Sequence, residues 1–110
     1  MDYQTARSLL ISQGVEANHN PDALLSRLQQ GQPPVPGQVT SILLALKVVA
    51  DALRAETMLE RSLAASLHLL AMESRQKFEQ GAQEGVPWPP LLGEDLARIA
   101  IAIRQIFLGE

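Results

Sequence analysis

The stretch Pro90–Leu108, PLLGEDLARIAIAIRQIFL, decides the fold. Leu92, Leu96, Ile99, Ile103 and Ile106 recur at intervals of three and four, the period of a helix that turns one face to a core, whereas a half-buried strand would alternate every second residue. Glu94 and Asp95 fall in or near the first turn, where acids oppose the positive end of the helix dipole. A helix with so regular an apolar stripe needs apolar partners, and the chain before it supplies them.

Immediately upstream, Thr57 followed by Glu60 is a capping-box pattern that predicts a helix from Met58 to about Gln83, with Gly85 beyond its end. Leu59, Leu63, Leu67, Leu70 and Phe78 form its core line. Before it, about Gly37 to Ala55, Val39, Ile42, Leu46, Val49 and Leu53 make a stripe that Leu43, Leu44 and Val48 widen over most of the circumference, which predicts a central helix. The few residues between these two helices predict an antiparallel hairpin. Two shorter helices precede them. One runs from Tyr3 to Gln13 with Leu9, Leu10 and Ile11, and Gly14 stands where a left-handed cap is expected. The other is begun by Asn20 as cap, Pro21 at the first position and Asp22 in the first turn, carries Leu24, Leu25 and Leu28, and is stopped by Gly31. The expectation is one all-α domain over residues 1–110, a compact bundle of about five helices in which three long C-terminal ones are closed by two short N-terminal ones.

With 110 residues, 46% of them hydrophobic, the chain is long enough for one core that buries roughly two-thirds of the unfolded surface. It has no cysteine, which excludes disulfides, thiolate metal sites and cysteine nucleophiles and favours a reducing compartment. Nine basic against twelve acidic residues give a net charge of −3 without any basic block, a poor match to a phosphate backbone, so no nucleic-acid partner is expected. The start Met1-Asp2-Tyr3 lacks the positive charge of a signal peptide. The longest apolar run, Ile42 to Ala50, is broken by Lys47 and falls short of the ~20 residues that span a bilayer. A cytoplasmic protein without membrane insertion is the expectation.

Chemistry is sparse. His19 lies in a loop. His68 lies mid-helix with no second ligand three or four residues away, and its expected role is a partly buried, hydrogen-bonded histidine at the bundle edge. Lys47 with Asp51 and Arg75 with Glu79 predict salt bridges along solvated helix faces. Neither G-x-S-x-G nor a phosphate-binding glycine loop is present, so no catalytic, metal or cofactor-binding residue is expected.

The distinctive residues are elsewhere. Each proline connector contains a P-x-x-P spacing, Pro33 to Pro36 and Pro87 to Pro90, which either stiffens a turn or presents a polyproline ridge to a partner. Trp88, between Pro87 and Pro89, either plugs the end of the bundle or anchors a partner. Ile101 and Leu108 lie off the core stripe at seven-residue spacing, as in a helix-to-helix dimer seam. Met58, Ala65, Leu69 and Met72 form a second face of their helix, belonging either to that seam or to the side that holds the N-terminal helices.

The segments NPDALL at Asn20–Leu25, GQPPVPGQVT at Gly31–Thr40 and WPPLL at Trp88–Leu92 resemble a family of small cyanobacterial proteins of unknown function, from about Asp2 to Leu108. The dethiobiotin synthetase label attached to some members implies an ATP-dependent carboxylating ligase, a reaction of a P-loop α/β fold, and this chain has neither that loop nor a strand pattern. The resemblance therefore implies a source and no activity. The leading expectation is a non-enzymatic helical module that binds a protein partner, with a homodimer as one form. The runner-up is a small-ligand or pigment-binding bundle in which His68 supplies a polar contact.

Overall fold

The structure, a computed structural model, describes residues 1–110. The expected helices are all present: α1 (Tyr3–Gln13), α2 (Leu24–Gln29), α3 (Gln38–Leu53), α4 (Arg61–Gln83) and α5 (Leu92–Leu108), with a single 3-10 turn at Ala17–His19. No strand forms. One main core joins α1, α2, α3, α4 and α5, and the stripe Leu92, Leu96, Ile99, Ile103 and Ile106 of α5 lies wholly within it.

Four helices form a ring in which α1 packs on α3, α3 on α5, α5 on α4, and α4 back on α1. Consecutive α3 and α4 are therefore not the expected hairpin; they face each other across the core. Contacts along the shared grooves fix the directions. Val39 and Thr40 lie level with Leu92 and Asp95, and Asp51 and Arg54 with Gln105 and Glu110, so α3 and α5 run parallel. Arg7 meets Glu60 and Gly14 meets Ser66, so α1 and the start of α4 also run parallel. α3 is one wall of the ring rather than its centre, and Leu44, on its outer side, stays exposed.

The reason for the diagonal step lies in lengths. α4 has 23 residues, about 34 Å of helix, while the 11 residues of α1 span about 16 Å. No single N-terminal helix can cover α4. α1 covers its first turns and α2 the stretch that follows, where Leu69 packs beside Leu25 and Lys77 Nζ donates to Gln29 Oε1 at 2.6 Å. Leu69 thus belongs to the side that holds the N-terminal helices, whereas Met58 precedes α4 and Met72 faces solvent.

The segment 54–60 crosses the end of the ring, and this overturns the predicted capping box. Thr57 is exposed and makes no capping bond; α4 begins at Arg61, after an extended Glu60 with φ −61° and ψ 136°. Glu60 is held instead by Arg7, whose Nε and Nη2 donate to the two carboxylate oxygens at 2.6 and 2.7 Å. That hydrogen bonding keeps the Glu60 carboxyl below the usual carboxylate range and raises the Arg7 guanidinium. Thr57→Ala is accordingly expected to leave the midpoint of urea unfolding unchanged, whereas a true N-cap would lose about 1 kcal/mol.

Two other local readings change. α2 starts at Leu24 rather than at Pro21, because Asn20 Oδ1 accepts from the Asp22 amide at 3.1 Å and folds residues 20–23 into a turn. The free amide of Leu24 is then satisfied from outside, by Gln13 Oε1 at 2.7 Å. Gly14 is not left-handed, with φ −104° and ψ −101°. A side chain there would run into Ser66, so its glycine serves the close approach of α1 to α4.

Candidate functional site

Because α3 and α5 run parallel, both proline connectors reach the same end of the bundle. There Pro34 and Val35 of one face Pro89 and Leu91 of the other across a shallow groove of about 250 Å³. Thr40 and Asp95, from the first turns of α3 and α5, supply its polar rim. Each connector is fastened from behind. On the N-terminal side, the buried Gln38 donates from Nε2 to the Asp22 carbonyl at 2.7 Å and to Gln13 Oε1 at 3.2 Å, while its own Oε1 accepts from the Val35 amide at 3.0 Å. Arg27 Nε donates to the Pro33 carbonyl at 2.6 Å.

On the C-terminal side the fastener is Trp88. Its Nε1 donates to the Phe78 carbonyl at 2.9 Å, and its ring stacks on that of Phe78 with centroids 6.0 Å apart and planes at 28°. The indole lies directly on Gly81 of α4, where a Cβ would come within 2.9 Å of Cε2. Arg75 completes the clamp, with its guanidinium 5.3 Å above the Phe78 ring and Nη2 donating to the Gly93 carbonyl at 2.9 Å. Arg75 therefore spans from α4 to α5 and forms no ion pair with Glu79, contrary to the sequence expectation; Lys47 and Asp51 do pair, at 3.7 Å. Of the two roles open to Trp88, this geometry serves the plug.

The remaining candidates fall into two groups. Pro33, Pro36, Pro87, Pro89 and Pro90 are all exposed at the connector end. Leu91, the residue before α5, is 62% exposed, and farther along the same helix Ile101 and Leu108 are 58% and 56% exposed. At 100° per residue, Glu94, Ala97, Ile101, Arg104 and Leu108 fall within an arc of about 80°, opposite the buried stripe. Ile101 and Leu108 thus share the outer face of α5, with Leu91 at the connector end of the helix. His68 does not belong to that face. It is exposed on α4, without a hydrogen bond, and lines none of the five main clefts. The expected half-buried, bonded histidine is corrected accordingly: the α4 register that buries Leu67 and Leu70 turns His68 outward.

The sequence reading missed Gln13, Gln38 and Arg75. Glutamine is ordinarily a surface residue, and nothing in its spacing marks Gln38 as a buried junction between α1, α2, α3 and a connector. No group of three or more His, Asp or Glu side chains stands close enough to hold a metal ion, and no helix is long and apolar enough to cross a membrane. No protein-family model, curated protein or solved structure matches the chain.

Proposed function

We propose that this chain is a non-enzymatic protein-interaction module whose contact surface runs from the connector end along the outer face of α5. The observation that carries the reading is that Ile101 and Leu108, 58% and 56% exposed, lie within about 20° of each other on that outer face, with Leu91 exposed at its connector end. Scattered exposed apolar residues mean little, but clustering on one face marks an interaction site. The proline connectors support the reading by holding Leu91 on a stiff backbone, which lowers the entropy lost on binding. A small-ligand reading has two clefts for support, one of about 360 Å³ between α4 and residues 14–29 and one of about 390 Å³ between α1, residues 20–22 and the start of α3. The polar groups at hand are already engaged, Lys77 with Gln29 at 2.6 Å and with Glu73 at 3.8 Å in the first and Gln38 with Gln13 and the Asp22 carbonyl in the second, which disfavours it.

The test is a comparison of tagged wild-type protein with Ile101→Glu in cell extract, with cross-linking and mass spectrometry of what is retained. The wild type is expected to retain a protein that Ile101→Glu loses, while circular dichroism shows the variant still fully helical. Equal retention by both would overturn the assignment of the surface.

A further inference from the structure

Resting on that reading of the surface, we propose that its partner is a second copy of the chain: two α5 helices pair antiparallel, with Glu94 of each copy against the partner's Arg104. The outer residues of α5 step by three, four, three and four, from Glu94 to Ala97, Ile101, Arg104 and Leu108, the spacing of a seam between two helices. The pattern is self-complementary in one orientation only. When two such helices cross antiparallel at the level of Ile99, each residue meets the one equally far on the other side. Glu94 then meets the partner's Arg104, Ala97 meets the partner's Ile101, and Leu108 comes level with the partner's Pro90 at the connector end. Charge is matched twice by the symmetry, and each large isoleucine falls opposite a small alanine. A parallel pairing sets glutamate against glutamate and arginine against arginine, which repel.

The isolated chain leaves these groups free to pair. Glu94 has no ion pair or side-chain hydrogen bond of its own, and Arg104 reaches only the terminal Glu110, at 3.9 Å. Arg98 flanks the seam near the symmetry axis, where two copies would bring two cations together. Each is accompanied by its own Asp95 at 3.4 Å, so the pair of side chains enters the contact without net charge. The seam from Glu94 to Leu108 is about 21 Å long, a single helix pair, so the dimer belongs among the small and reversible interfaces.

Sedimentation equilibrium of the purified full chain at low salt, from micromolar to millimolar concentration, tests the pairing. The wild type is expected to pass from monomer to dimer over that range. Glu94→Arg and Arg104→Glu each place like charges together twice and are expected to weaken self-association at least about tenfold. Mixed in equal amounts, the two variants are expected to form a heterodimer, because one then carries two arginines and the other two glutamates at the four meeting positions. The double variant Glu94→Arg/Arg104→Glu is expected to regain the homodimer. Both side chains concerned are exposed, and unchanged circular dichroism confirms that each variant is folded. A wild type that stays monomeric throughout, single variants that dimerise as tightly as wild type, or a mixture that forms no heterodimer would each overturn the proposal. If the wild type stays monomeric while Ile101→Glu still loses a protein from extract, self-pairing falls and the interaction reading stands.

Discussion

Trp88→Ala is expected to lower the stability of the domain by about 3 kcal/mol, near the lower end of the usual range for emptying a large aromatic site. Three losses coincide. The indole leaves a void against Gly81, the stacked Phe78 loses its partner, and the hydrogen bond to the Phe78 carbonyl disappears. In a domain of this size the loss corresponds to a fall in melting temperature of roughly 10–20 °C. Gly81 supplies the control. In the wild type, Gly81→Ala collides with the indole and is expected to destabilise strongly; in the Trp88→Ala background the same change meets no ring and gains the higher helix propensity of alanine, about 1 kcal/mol. Thermal unfolding followed by circular dichroism of the four proteins measures the coupling. Additive effects, or a Trp88→Ala protein as stable as wild type, would return Trp88 to the surface as a binding residue.

The second large effect is expected at Gly14. A Cβ there would stand 2.5 Å from the Ser66 Cα, a backbone atom of α4 that no side-chain rotation can remove. Gly14→Ala must push α1 away from α4, breaking the bond from the Val15 amide to Ser66 Oγ at 3.2 Å and loosening the side of the ring closed by Arg7 and Glu60. Overpacking of this kind costs about 1–3 kcal/mol, and the expected value is at the upper end because the obstacle is rigid. Ser66→Gly removes the Cβ and Oγ but leaves the Cα, so the double variant is expected to recover only part of the loss. Full recovery in urea unfolding would show that the side chain alone sets the approach.

These two positions also mark where the sequence could and could not be read. The periodicities of Leu92 to Ile106 and of Leu63 to Leu70 depend on local geometry alone, and they place the α5 and α4 faces correctly. So does the proline punctuation that separates the helices. Thr57 and Asn20 looked like helix starts by the same local rules and are not, because the amide that needs a cap is decided by distant partners: Gln13 reaches Leu24, and Arg7 draws Glu60 out of the expected turn. Gly14 and Gly81 both stand near helix ends, yet their use depends on what lies alongside, α4 for the one and the Trp88 indole for the other. The same holds for the candidate surface. Ile101 and Leu108 could be picked out by their offset from the core stripe, whereas the meeting of both connectors at one groove required the parallel course of α3 and α5, which no local signal encodes.

The diagonal step between α3 and α4 bears on how the molecule assembles. The ring divides the chain into two halves: α1 with α3, and α4 with α5, both pairs antiparallel and both joined within their own half. Every remaining contact of the ring, α3 with α5, α4 with α1 and α4 with α2, lies between halves. Helix–coil relaxation takes about a microsecond, but one core draws residues from both halves, so neither half alone covers its apolar stripes. The seven residues 54–60 serve as the tether that sets the effective concentration of one half about the other.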